Sequence, residues 1–298
     1  MSASNRYSIT GHIKIFGIIS AGLCSLTILG IILTLFGIPV YKTDIDLSGG
    51  VQMDIELGVP LTNELAAQLK EICLDTAGVS ASVTESRMSK TGVSLMLSDI
   101  PLEVRQQIFI AISEKYGTDE VKLLDTDYMS TSSSNSIKRS LAISFLLTGF
   151  IIIIYFSARF GAKSGYAAII CIIQNILVML LAYAIFRIPL NTAFSAAVLM
   201  IIAFSLIEII LVFDAVRENK KLKTMPAEFS ELIDISILQS LRRNLNVMLI
   251  ALFLVAALFF IKETKSFALP LIVGIVAATY SSILMSGSLW SLFIAKRK

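Results

Sequence analysis

One acidic side chain stands where simple physics gives it no easy place. Glu208 lies in IIAFSLIEIILVF, an otherwise uncharged run, and is the single formally charged residue within the six long apolar stretches of the chain. A carboxylate surrounded by hydrocarbon is costly unless it is protonated, paired or facing water. One reading is a proton-binding group in a transport pathway. The other is a protonated acid that hydrogen-bonds a neighbouring helix, or one close enough to a helix end to reach water. Asp214 follows six residues later, about 9 Å along a helix axis, so the second reading stays open.

The other polar residues at these depths are possible partners for that acid. Gln174 and Asn175 are the one adjacent pair of amides inside an apolar stretch, each able to donate and to accept. They are contacts for Glu208 or simply interhelical hydrogen bonds. Arg243 and Asn246 open the fifth stretch, where Arg243 pairs an acid or anchors the helix at the interface. Asp214, Arg217 and Glu218 stand at i, i+3 and i+4, which suits either a charged helix end or a coupling role. Covalent chemistry finds no support: no nucleophile, base and orienter share a usable spacing. Cys24, Cys73 and Cys171 form no CxxC pair, and the single histidine is His12. No catalytic residue, metal site or cofactor is expected.

The elements that must position these residues follow from composition. Of 298 residues, 55% are hydrophobic and 16% charged, with a mean hydropathy of +0.80. Soluble domains carry about 45–50% apolar and about 25% charged residues, so a wholly water-soluble globule is excluded. A net charge of +3 gives no sign of a nucleic-acid partner. Spanning a bilayer takes roughly 20 apolar residues. Six stretches qualify: Ile15 to Pro39, Leu141 to Ala158, Ser164 to Phe186, Thr192 to Phe213, Leu245 to Ile261, and Ser266 to Ala295. The first is too long for a signal-peptide core and lacks an A-x-A cleavage pattern, so it is expected to remain as an anchor. The chain thus divides into residues 1–39, a polar region at 40–136, and a five-helix bundle at 137–298 with a cytoplasmic loop at 214–244.

The polar region reads as strand, helix, strand, strand, helix, strand. Alternation predicts a strand over Asp46 to Leu57, and Leu65, Ala66, Leu69 and Ile72 stripe a helix over Leu61 to Ala77 with Thr62 as its N-cap. Strands over Val79 to Thr84 and Val93 to Leu97 flank a Lys90-Thr91-Gly92 turn. A helix over Pro101 to Tyr116 and a last strand over Val121 to Leu124 complete a βαββαβ, ferredoxin-like α+β domain. Ser130 to Ser136 reads as a flexible hinge. Gly49 and Gly50 permit positive φ or close backbone approach, for a bend or a plain bulge. Thirteen Lys and Arg fall on one side of the apolar stretches, from Arg6 and Lys14 to Lys298, against Arg187, Lys262 and Lys265 in the short loops opposite. By the positive-inside rule both termini are cytoplasmic and the domain is extracytoplasmic.

Several fragments, in this order and spacing, resemble one family. Asp44 to Gly50 (DIDLSGG), with Asp46, Gly49 and Gly50, is similar to its D-[FL]-[TSR]-G-G signature after the first helix. Tyr155 to Phe160 resembles the turn after the second span. Val212-Phe213-Asp214 with Arg217-Glu218-Asn219 resembles V-F-D-R-I-R-E-N. Phe267-Ala268-Leu269 and Thr279-Tyr280-Ser281-Ser282-Ile283 resemble its sixth-span pattern. The chain is thus similar to the SecF subunits of the SecDF protein-export complex, within the resistance–nodulation–division superfamily.

That resemblance implies a six-helix half of a twelve-helix unit in the bacterial cytoplasmic membrane. Its partners would be a SecD-like subunit, the SecYEG channel, the translocating polypeptide and membrane lipid, with proton flow helping to draw polypeptides outward. The family's fourth-span acid aligns with Glu208, and its fifth-span arginine with Arg243. Ile207 stands where the family has Asn, and Gln174-Asn175 where it often has His-Asp, which leaves one carboxylate. A small-molecule or lipid exporter of the same superfamily would usually carry two large outside domains, and this chain has one small one. A structural subunit that holds a SecD-like partner without coupling to protons is the remaining alternative.

Overall fold

The computed structural model describes residues 10–38, 40–86, 89, 91–117, 121–221, 229–261 and 264–295. Arg6, Pro39, Lys90, Lys262 and Lys298, all used above, lie outside the described residues. In chain order the elements are α1 (Ile13–Leu35), α2 (Ile45–Ser48), β1 (Gly50–Glu56), α3 (Asn63–Ala77), β2 (Ser82–Glu85), β3 (Gly92–Leu97), α4 (Leu102–Tyr116) and β4 (Lys122–Met129). There follow α5 (Thr131–Phe160), α6 (Ala162–Ile185), α7 (Thr192–Lys221), α8 (Phe229–Phe259), α9 (Lys265–Ser281), a π-helical segment (Ser282–Ser286) and α10 (Gly287–Ala295). Contacts divide the chain into two units, residues 43–142 and the remainder.

The first unit is the α+β domain. Its four strands pair antiparallel in the order β2-β3-β1-β4, which is the ferredoxin-like arrangement. Val51, Met53 and Ile55 of β1 and Val93, Leu95 and Leu97 of β3 point to one face. There they meet Leu65, Leu69, Ile72 and Cys73 of α3 and Ile108 and Ile112 of α4. Period-two strands and period-3.6 helices thus bury a common apolar core. Thr62 caps α3 by accepting from the Leu65 amide at 3.2 Å.

Three expectations change here. The strand predicted from Asp46 begins at Gly50, because Asp44 accepts from the Ile45 amide at 2.9 Å and opens the one-turn helix α2. Positive φ at Gly49 (74°) and Gly50 (121°) then turns the chain into β1. β4 runs on to Met129, because the whole length of β1 offers it a partner. The Ser130 to Ser136 run is no hinge: Ser130 Oγ accepts from the Ser133 amide at 3.2 Å, an N-cap that starts α5 at Thr131.

The second unit is a helical bundle; among the described residues six helices are long and apolar enough to cross a membrane, and the protein is a multi-pass membrane protein. The spans formed by α6, α7 and α9–α10 are half or more buried, whereas α1, α5 and α8 face mostly outward. Outward residues such as Leu146, Phe150, Phe253 and Leu254 are large and apolar, as a hydrocarbon solvent requires. Phe156, Phe213, Met179, Ile201, Ile233 and Ile237 fill the interior. The loop expected at 214–244 is largely helix. α7 continues to Lys221 and α8 starts at Phe229, because polar, helix-favouring sequence prolongs both beyond their apolar parts.

Candidate functional site

Glu208 lies mid-way along α7 with no exposed surface. Burial of this kind makes every hydrogen bond to the carboxyl group count. Oε2 accepts from Ser282 Oγ at 3.1 Å. Oε1 is buried without a hydrogen-bond partner among the described residues.

Ser282 opens the π-helical segment that interrupts the sixth span. The local sequence explains the irregularity. Ser282 Oγ lies 3.0 Å from the Thr279 carbonyl, which shares its one proton with the Glu208 carboxyl group. Ser286 Oγ donates to the Ser282 carbonyl at 2.5 Å and Ser288 Oγ to the Leu284 carbonyl at 3.0 Å. Hydroxyls that compete for backbone carbonyls loosen the helical ladder, and single π-turns of this sort gather at functional sites. Here the turn presents a hydroxyl to the carboxyl group.

Two more helices close round the acid. Asn244 of α8, fully buried, donates from Nδ2 to the backbone carbonyl of Glu208 at 3.3 Å. Asn175 of α6 donates to Ser205 Oγ at 2.9 Å, one turn before Glu208 on α7. The Oδ1 atoms of both asparagines are buried without partners among the described residues. A carboxylate can only accept, whereas a carboxylic acid also donates. A proton on Glu208 therefore gives its carboxyl group a donor that the carboxylate lacks.

The structure separates residues that the sequence placed together. Gln174 turns away from its neighbour and donates to Ser20 Oγ of α1 at 2.9 Å; Ser20 Oγ lies 2.8 Å from Met285 Sδ. Successive residues on a helix point about 100° apart, so an adjacent pair cannot both face α7. Arg243 is not brought to Glu208: it is exposed and donates to the Leu211 carbonyl at 3.2 Å. Its neighbour Asn244 makes the contact instead, and Asn246 is exposed. Asp214 does not rely on Arg217, which is exposed. It takes both its hydrogen bonds from Arg159 at the end of α5, at 2.8 and 3.1 Å.

The remaining motif residues hold the frame. Asp46 lies in the first turn of α2. A Cβ on Gly50 would stand 2.2 Å from the Leu97 carbonyl oxygen. Tyr280 donates to the Phe16 carbonyl at 3.1 Å, tying α9 to α1. Ser281 is buried and bonds the Ala278 carbonyl at 3.1 Å. Sequence reasoning gave no contact role to Ser282, Asn244 or Ser205. One signal was available: Ser236, Ser240 and Asn244, at i, i+4 and i+8, form a fully buried polar line along α8. Among the described residues no three His, Cys, Asp or Glu side chains gather as a metal site would need.

Fold and site together define a six-span helical membrane protein with one ferredoxin-like domain between its first two spans and a buried carboxyl group in its bundle. The family described as "Protein export membrane protein SecD/SecF, C-terminal" matches residues 108–296, and the chain belongs to it. It is 28% identical over 303 residues to the protein translocase subunit SecF of Acidaminococcus fermentans, covering 98% of this chain and 99% of that one. It is 26% identical over 293 residues to the protein translocase subunit SecDF of Bacillus subtilis, covering 96% of this chain but 38% of the relative. A crystal structure of SecDF from Thermus thermophilus, described as a translocon-associated membrane protein, shares the fold. Its TM-score is 0.81 at 22% identity, over 100% of this chain and 40% of that one.

Proposed function

We propose that the chain is an accessory subunit of the Sec protein translocation machinery, that it works beside a SecD-like partner, and that Glu208 is its proton-binding group. The observation that carries the relay is the state of the Glu208 carboxyl group. It is fully buried, with one oxygen held by Ser282 and the other unpartnered among the described residues. A group so placed changes its hydrogen bonding with every proton gained or lost, and the π-turn that carries Ser282 is a local irregularity able to follow it.

The SecD-like partner is supported by the Bacillus relative, a SecDF protein of whose length this chain spans 38%. The distribution of Lys and Arg supports cytoplasmic termini and an extracytoplasmic domain. In this reading the SecYEG channel and the exported polypeptide are met on the outer side, and the membrane is the bacterial cytoplasmic membrane. Asn175, Asn244 and Ser205 position the acid and its neighbours, while Gln174 and Arg243 hold helices together at a distance from it.

Secretion of a reporter protein tests the proposal in cells carrying wild type, Glu208→Asp or Glu208→Gln at equal membrane abundance. Export supported by Asp and lost with Gln is the expected result. Wild-type export kinetics with Gln would refute the relay.

A further inference from the structure

Helix α5 meets the bundle towards one end. Ile152 and Phe156 are buried there, and Arg159 pairs with Asp214. Nearer its start the same helix stands off, and Leu146 and Phe150 are exposed. Between it and helices α6 and α7 lies a groove of about 500 Å³. Gly149 and Ile153 of α5, Ile173 and Ile176 of α6, and Phe194 and Val198 of α7 contribute to its wall, and every residue that lines it is apolar. Its size limits the occupant. Two turns of α-helix, about 11 Å long and about 10 Å across with side chains, already need more room than this. A single hydrocarbon chain does not. Gly149 is an independent sign of an occupant. A Cβ there would meet nothing within 4 Å, although glycine inside a helix is destabilising relative to alanine. Packing of the protein against itself does not require that glycine, but it widens the groove.

The end of the groove next to the α6–α7 connection is cationic. Phe194 lies in the first turn of α7, just after the connection that carries Arg187. Lys42 is held against the same connection, because its carbonyl accepts from the Leu190 amide at 2.8 Å. Both cations are exposed, and neither makes an ion pair among the described residues. Arg187 also has a left-handed backbone, with φ of 53°. The amides of Arg187 and Ile188 donate to the Ala184 and Tyr183 carbonyls at 3.2 and 3.0 Å, which closes α6 in the Schellman manner. Glycine or asparagine is the usual residue at that position, so this charge is kept against a backbone cost.

From the apolar groove, the open space at Gly149 and the two cations at its end, we infer that the groove holds one acyl chain of an anionic phospholipid whose phosphate lies against Lys42 and Arg187. The bound chain fills the gap beside α5, the helix that continues from β4 after a single residue. The inference depends neither on the Sec reading nor on Glu208.

The test uses the full chain in a mild non-ionic detergent, titrated with palmitoyl-oleoyl phosphatidylglycerol or the matching phosphatidylcholine. Retained lipid is counted by native mass spectrometry. Wild type should hold one phosphatidylglycerol roughly tenfold more tightly than phosphatidylcholine, the scale set by two cations beside a phosphate. Gly149→Leu fills the groove and should abolish the tight site, whereas Gly149→Ala should keep most of it. Ile173→Phe narrows the groove from an exposed position on α6 and should act like Gly149→Leu, deciding the matter if that variant does not fold. Ala257→Leu makes a similar enlargement on the exposed face of α8 and should change nothing. K42Q/R187G should bring phosphatidylglycerol down to the phosphatidylcholine level. Because glycine suits the left-handed position, its melting temperature without lipid should hold or rise. Equal retention by wild type, Gly149→Leu and Ile173→Phe overturns the proposal, as does equal binding of the two lipids by wild type. So does loss of the retained lipid when a SecD-like subunit is co-purified, since the groove then belongs to a helix of that subunit.

Discussion

Ser282 donates to the carboxyl group of Glu208 at 3.1 Å from the first residue of the one π-helical turn among the described residues. The irregular turn and the buried acid therefore form one unit: a change at the carboxyl oxygen reaches the backbone of the sixth span through a single hydroxyl. Removing that hydroxyl with Ser282→Ala should lower reporter export roughly two- to tenfold, the scale of one lost hydrogen bond, at unchanged membrane abundance. Ser282→Thr, which keeps the donor, should retain most activity. Equal export from the Ala and Thr variants would show that the contact is packing alone.

Gly50 marks a point where only glycine fits. Its φ of 121° disfavours any L side chain, and an added Cβ would meet backbone, 2.2 Å from the Leu97 carbonyl oxygen. Gly50→Ala should cost at least about 2 kcal/mol, seen as a lower melting temperature and faster proteolysis within residues 43–142. An unchanged melting curve would contradict this geometry.

Helix α9 approaches α7 through Gly274, where a Cβ would lie 2.6 Å from Ile201 Cδ1 and 2.8 Å from Cγ1. Gly274→Ala should destabilise the bundle by about 1–3 kcal/mol through overpacking. Ile201→Ala alone leaves a cavity and should cost about 2–5 kcal/mol. Together the two changes exchange volume, so the double variant should be at least about 1 kcal/mol more stable than additivity gives. Additive thermal shifts in detergent would mean that the two residues do not share the site.

Cys73 lies in the domain core with no exposed surface, and burial pushes its thiol up to about 11 from an ordinary value of 9.0. The folded form therefore holds its proton more tightly than the unfolded chain. The resulting stability is fully present below pH 9 and is lost as pH rises through about 11. Wild type should lose more stability than Cys73→Ala between those pH values. Its thiol should react with iodoacetamide near pH 8 only after denaturant is added. A rapidly alkylated Cys73 in the folded protein would contradict its placement.

How far the sequence could be read depended on the kind of signal. Apolar stretches long enough to span a membrane and the alternation in β1 and β3 declare themselves locally, so the spans and the βαββαβ order were legible. Glu208 was equally legible, since one charge in a hydrophobic run needs no alignment to be seen. Its surroundings were not, because they depend on helix rotation. Gln174 and Asn175 looked like a unit but point to α1 and α7 respectively. Arg243 drew attention by its charge, while the neutral Asn244 beside it reaches the Glu208 carbonyl. Ser130 to Ser136 shows the limit of composition: serine suits a flexible linker and an N-cap alike, and only the hydrogen bond from the Ser133 amide to Ser130 Oγ decides.

The claim on which the account turns is that Glu208 must take up and release a proton. Reporter secretion should be followed in cells carrying wild type, Glu208→Asp and Glu208→Gln, with the amount of subunit in the membrane measured alongside. Function with Asp and failure with Gln at equal abundance is the result the account predicts. Full secretion with Gln would contradict it and leave this chain as a scaffold for a partner that holds the proton chemistry.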